Sequence, residues 1–169
     1  MDAQAQAIAQ IESIVALVAA LEVDYDRLEE LREELEERQE DEGGCYSEFP
    51  AYLHGLAAAG DPDAIELAEL EAQAGGCSSQ DEAQDRIQED PLSVEVRSGW
   101  VSMGETLEAE EFRIVLCTGG PHVEILGDLR NGSPSSVRVR YQGWGESGEL
   151  FKFDRGAVLT YCQQFCFEC

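Results

Sequence analysis

Between Glu22 and Glu42 the chain carries twelve acidic residues against Arg27, Arg32 and Arg38, a net charge of −9 in 21 residues. Such a segment can fold only as an element that keeps most of its surface in water, because an unpaired carboxylate is too costly to desolvate. One narrow apolar stripe is all it can bury. That stripe is present: Ala7, Ile11, Ile14, Val18, Leu21, Tyr25, Leu28 and Leu35 recur at alternating intervals of three and four, broken only at Arg32. The repeat predicts a long helix packed along most of its length against another helix. At about 1.5 Å per residue, residues 22–42 would make a rod roughly 31 Å long. One net negative charge then falls every ~3.5 Å, against about 3.4 Å per phosphate along one DNA strand.

A helix of this kind carries a conflict. Its like-charged i,i+4 neighbours are Glu22/Asp26, Asp26/Glu30, Glu29/Glu33, Glu30/Glu34, Glu33/Glu37, Glu36/Glu40 and Glu37/Asp41, and its one i,i+4 ion pair in the favourable acid-before-base order is Glu34–Arg38. Summed, the repulsion comes to about 2 kcal/mol, less in salt. One reading is a solvated face that serves solubility or halophilic adaptation. Adaptation to salt would spread acid along the whole chain, whereas residues 1–90 hold a net −21 and residues 91–169 only −4. The other reading is a surface that imitates phosphates, presented by Glu22, Asp24, Asp26, Glu29, Glu30, Glu33, Glu34, Glu36, Glu37, Glu40, Asp41 and Glu42. No D-x-[DN]-x-[DN]-G calcium loop is present.

With 169 residues, 43% of them hydrophobic, the chain has material for one or two modest domains with real cores. A net charge of −25 excludes direct binding to nucleic acid or to an anionic membrane, so partners should be basic. Met1 to Gln10 contains no Lys or Arg, unlike the start of a secretory signal, and the longest strongly apolar run, Ile14–Leu21, is eight residues. About 20 are needed to span a bilayer. The expectation is a soluble protein of the cytoplasm, with its cysteines reduced.

Composition and hydrophobic pattern both change at Pro91, which predicts an acidic helical segment over 1–90 and a second segment over 91–169. In the first, Gly43-Gly44 should end the long helix. Ser47–Ala59 predicts a second helix, Asp61-Pro62 starts a third that breaks at Gly75-Gly76, and Ser79–Glu89 suits a short fourth. In the second, Leu92–Arg97, Phe112–Cys117, Val123–Leu129, Val137–Tyr141 and Glu149–Phe153 read as strands. Short turn-rich separators favour an antiparallel meander. Gly156–Phe167 closes the chain as a helix. The fold class expected is α+β: an acidic N-terminal helical segment, with a long helix and two or three short ones, then a four- to five-stranded antiparallel sheet with a C-terminal helix.

The words Ser93-Val-Glu-Val-Arg-Ser-Gly-Trp100, Glu111-Phe-Arg-Ile-Val-Leu-Cys-Thr-Gly-Gly-Pro121 and Tyr141-Gln-Gly-Trp-Gly145 resemble a family of small acidic proteins carried on bacterial plasmids, phages and integrated elements. Val18-Ala-Ala-Leu-Glu-Val-Asp-Tyr-Asp-Arg-Leu-Glu-Glu30 is similar to the opening helix of that family, whose pattern has Asp where Gly143 stands here. By analogy, the resemblance implies a mobile-element setting, in which acidic inhibitors of restriction or CRISPR systems recur.

Other chemistry is thinly represented. Cys162-x3-Cys166-x2-Cys169 has the spacing of iron–sulfur ligands, yet on one face of a helix these residues also suit core packing. Cys117 or His122 are the nearest candidates for a fourth metal ligand. Cys117 and His122 flank the Gly119-Gly120-Pro121 turn as a nucleophile and base would, five residues apart. Cys45 and Cys77 are candidates for proximity. His54 has no histidine partner nearby in sequence, and Glu108, Glu110 and Glu111 show no recognisable acid/base pairing. There is no P-loop, G-x-G-x-x-G or G-x-S-x-G. Trp100 and Trp144, with Tyr141 and Phe151, either fill the sheet–helix core or form an exposed recognition patch. Arg138 and Arg140 share a strand face suited to contacts with the acidic helices.

The expectation is therefore a protein that is not an enzyme, needs no cofactor or metal, and inhibits a host nucleic-acid-binding defence complex by occupying its basic groove. The alternative is a homodimeric coiled coil with an interaction or regulatory role and no nucleic-acid mimicry.

Overall fold

The computed structural model describes residues 2–43 and 48–167. Among these the fold is α+β, with six helices and a six-stranded antiparallel sheet. The helices are α1 (Ala3–Leu21), α2 (Tyr25–Asp41), α3 (Phe49–Ala59), α4 (Pro62–Ala74), α5 (Gln80–Glu89) and α6 (Arg155–Cys162). The strands are β1 (Ser93–Arg97), β2 (Glu111–Cys117), β3 (His122–Arg130), β4 (Ser133–Pro134), β5 (Arg138–Gly143) and β6 (Glu146–Leu150). Two compact units result: a helical unit of residues 19–83, and a sheet unit that joins residues 1–18 to 84–169. The division differs from the change of composition at Pro91, because the start of α1 and the end of α5 belong with the sheet.

In the helical unit, α2, α3 and α4 enclose a core of Val23, Leu28, Leu31, Leu35, Phe49, Leu53, Ala64, Leu67 and Ala74. The apolar repeat from Ala7 to Leu35 is thus shared between two helices, α1 and α2, instead of running through one. The reason lies at Asp24, whose backbone (φ −78°, ψ 90°) leaves the helical path and whose carboxylate accepts the Arg27 N–H as an N-cap. Leu28, Leu31 and Leu35 are buried within the unit, so this part of the apolar stripe packs inside the chain. Asp61 caps α4 by accepting from the N–H groups of Asp63 and Ala64, with Pro62 at the first helical position, and left-handed Gly75 ends it. Gly44, Cys45, Tyr46 and Ser47 lie outside the described residues, and with them the expected start of α3 and the Cys45–Cys77 proximity.

In the sheet unit the strand order is β1-β2-β3-β5-β6, with β4 pairing β3 as the sixth strand. That extra pair is a two-residue hairpin: Asn131 (φ 51°) and Gly132 (φ 76°) supply the positive φ values that such a turn requires. β6 begins three residues earlier than the sequence pattern indicates, because the Trp144-Gly145 turn sets its register, with Gly143 opposite Glu146. α6 stops at Cys162, five residues before Phe167. One face of the sheet is apolar, with Phe112, Ile114, Val123, Ile125 and Val139 buried, and α6 buries Val158, Tyr161 and Cys162.

The first part of α1 joins this unit through a stripe of Ala3, Ala7, Ile11, Ile14 and Val18, all buried. Its first N–H, of Ala3, donates to a Glu146 oxygen at 2.6 Å. A Cβ at Gly143 would lie 3.0 Å from the Ala3 Cβ, so the absence of a side chain there lets the helix start approach the β5–β6 hairpin. By length and composition alone, α1 is long and apolar enough to cross a membrane, a property that its longest uninterrupted apolar run did not reveal.

Candidate partner-binding surface

The helical unit holds 20 acidic residues against three arginines, a net of −17 in 65 residues. Its most acidic element is α2. The four residues it buries, Leu28, Leu31, Leu35 and Gln39, mark the side turned to α3 and α4. Glu22, Asp24, Asp26, Glu29, Glu30, Glu33, Glu34, Glu37, Glu40, Asp41 and Glu42 are exposed, and Glu36 is half-buried. The apolar phase of the helix therefore turns the carboxylates outward.

The three arginines that interrupt this acidic run point elsewhere. Arg27 forks onto Glu66 of α4 through Nε and Nη2, both at 3.2 Å. Arg32 reaches Glu71 at 2.7 Å. Arg38 bridges Asp61 and Asp63 at 2.9 and 3.1 Å instead of its helical neighbour Glu34. Hydrogen bonds to Glu66 and to Asp63 respectively hold the Arg27 and Arg38 guanidiniums even more firmly protonated than usual. Within α2, Arg27 also lies 3.7 Å from Glu30. The bases of α2 thus clamp α4, and the carboxylates of α2 keep most of their charge. Spanning 17 residues, α2 makes a rod of roughly 25 Å, shorter than the 22–42 segment as a whole. Glu22, Asp24 and Glu42 flank it, Asp24 as its cap and Glu42 at its C-terminal end.

The remaining sequence candidates separate. Cys162 is fully buried, and burial pushes its thiol well above the ordinary range. Cys166 is exposed beyond the end of α6, and Cys169 lies outside the described residues. The helix face that Cys162 and Cys166 would share is therefore not formed, because α6 ends at Cys162. Among the described residues no group of three or more His, Cys, Asp or Glu is arranged to hold a metal ion. The Cys117 thiol donates to the Pro121 carbonyl at 3.4 Å and burial raises its pKa, while His122 Nε2 lies 3.3 Å from Glu124. They face different partners, not one another as nucleophile and base.

Trp100, Trp144 and Phe151 are exposed, which overturns the core-filling reading. They do not form one patch either. Trp100 follows edge strand β1 at one end of the sheet, and Trp144 turns β5 into β6 at the other end and near the opposite edge.

A feature that sequence reasoning missed is the charged face of the sheet. Cross-strand register places Glu95, Arg97, Glu111, Arg113, Glu124, Arg138 and Arg140 on the face opposite the apolar one. Arg97 pairs with Glu111, and Arg113 with Glu95, whose carboxyl it holds below the usual range. Glu124, 3% exposed, receives Arg140 at 2.7 Å, with Arg113 at 3.9 Å. Arg140 is thus engaged on its own sheet. These residues line a shallow concavity of about 590 Å³. The sequence had shown only that Arg138 and Arg140 share a strand face; the register brings Glu95, Arg97, Glu111, Arg113 and Glu124 to the same side.

The chain matches no protein-family model, no curated protein and no solved structure. The likeness to acidic proteins of mobile elements rests on its sequence words alone.

Proposed function

We propose that the protein is a non-enzymatic inhibitor whose acidic helical unit occupies the basic nucleic-acid groove of a host defence complex, a restriction or CRISPR effector. The observation that carries this reading is the division of labour on α2. Its carboxylates are held outward on a packed helix, while its arginines are drawn onto Glu66, Glu71, Asp61 and Asp63 of the α4 region. A floppy acidic tail would lose ordering entropy on binding, whereas charges fixed on a folded rod are already in place. Lysines and arginines of the groove would pair with these carboxylates in place of phosphates, and the association should weaken steeply with salt.

The test is competition. The protein is titrated against DNA bound to a purified restriction or CRISPR nuclease at moderate salt, alongside a variant with Glu29, Glu30, Glu33, Glu34 and Glu37 changed to Lys. Displacement by the parent and its loss in the folded variant is the expected result. Retained displacement by the variant removes phosphate imitation by α2.

A further inference from the structure

We propose that the free edge of β1 pairs antiparallel with β1 of a second copy of this chain, in the register that sets Val96 opposite Val96. β1 ends the strand order of the sheet and is exposed over most of its length. Apolar surface gathers around it. Of the eleven large hydrophobic residues exposed among the described residues, seven fall between positions 92 and 107, Leu92, Val94, Val96, Trp100, Met103 and Leu107 among them. Scattered single exposures need no explanation, but a concentration on one edge strand and its following loop marks an interaction surface.

The charges of the strand choose the occupant. Pairing with β2 places Val94 and Val96 beside Ile114 and Phe112 on one face, and Glu95 and Arg97 beside Arg113 and Glu111 on the other. Charges on an edge strand normally repel strangers. These two, however, match each other. With Val96 facing Val96, Glu95 stands opposite Arg97 of the second copy, and Arg97 opposite its Glu95. The charged face then reads Glu111, Arg97, Glu95, Arg113 across the seam, alternating in sign and continuing the ladder already built between β1 and β2. A slip of one residue sets valines against charges, and a slip of two sets Glu95 against Glu95. The seam is isologous, as a two-fold dimer requires. It also lies in the less charged unit, at a net of −8 against −17 for the helical unit.

Because the two copies carry like net charge, their pairing should strengthen with added salt, the opposite of groove binding by α2. Light scattering at roughly 100 µM protein should give a dimer mass that grows with salt. Facing Cα atoms in an antiparallel pair lie about 4.5–5.5 Å apart, within disulfide reach, so Val96→Cys should cross-link under mild oxidation. Val94→Cys, which faces Ser98, should cross-link far less. Arg97→Glu, folded by circular dichroism, should weaken dimerisation about tenfold. A monomer throughout, equal cross-linking of the two cysteine variants, or unchanged dimerisation of Arg97→Glu overturns the proposal. None of these variants touches α2, so this result and the DNA competition stand or fall separately.

Discussion

The Tyr161 hydroxyl donates to a carboxylate oxygen of Asp90 at 2.7 Å, joining the fully buried ring of α6 to the residue that leads from α5 into β1. A hydrogen bond to a charged acceptor contributes about 1.5–3 kcal/mol, and Asp90 is only half-buried. Tyr161→Phe keeps the packing and deletes the bond, so it should cost about 1.5 kcal/mol in urea unfolding. An unchanged midpoint would mean that the bond contributes nothing net.

The same corner should make the fold sensitive to alkali. Burial, and then the bond to Asp90, raises the Tyr161 pKa above its ordinary value, and burial alone raises that of Cys162. Above about pH 8.5 for the thiol and about pH 10 for the phenol, the unfolded chain releases protons that the folded chain retains. The folded state then binds more protons, so stability is fully present below those values and falls as pH rises. Melting temperatures measured from pH 7 to 11 should drop at the upper end, and Tyr161→Phe should flatten the part of the drop above about pH 10.

Two glycines of the sheet should respond differently to alanine. A Cβ at Gly127 would lie 2.0 Å from the Ser136 carbonyl oxygen and 2.5 Å from the Phe112 ring. Neither the backbone nor a fully packed ring can withdraw, so Gly127→Ala should cost more than about 3 kcal/mol or prevent folding. At Gly148 the nearest atom is the Tyr141 hydroxyl at 2.6 Å, the outer end of a side chain that can swing away. Gly148→Ala should cost less than about 1 kcal/mol, and comparing the two melting curves tests the difference.

Glu33→Lys should separate stability from binding. Glu33 repels Glu29 and Glu37 across single turns of α2. Replacing it with lysine turns both contacts attractive and should stabilise the helical unit by about 1 kcal/mol. The same change should weaken competition with DNA for a basic groove. A variant that is less stable than the parent would show that repulsion along α2 is not what limits the unit.

Local chemistry is what made much of this fold legible. Asp61-Pro62 and Gly75-Gly76 bracket α4 because capping and left-handed glycine act within a few residues. β1, β2, β3 and β5 alternate side chains strongly enough to be read directly. The break between α1 and α2 escaped because Leu21, Tyr25 and Leu28 keep the apolar phase across it, leaving only Asp24 as a sign. β6 was displaced because Glu146-Ser-Gly-Glu149 has no apolar alternation, and a hairpin turn sets its register. The outward carboxylates of α2 follow from the helical phase of Leu28, Leu31 and Leu35. The pairing of Arg27, Arg32 and Arg38 with residues 23 to 39 positions away could not follow from spacing, because tertiary contacts decide it. Nor could the burial of Glu124, which depends on strands that meet only in the folded sheet.

The tethering of those guanidiniums gives residues outside α2 control over its potential. Without the Glu66 carboxylate, the Arg27 head group would be at liberty to lean toward Glu30, already within 3.7 Å, and without Glu71 the Arg32 head group would lose its anchor. Substitutions on α4 that remove no charge from α2 would thereby dim the field it projects. The helix that a partner would meet is tuned from behind, by the helix against which it rests.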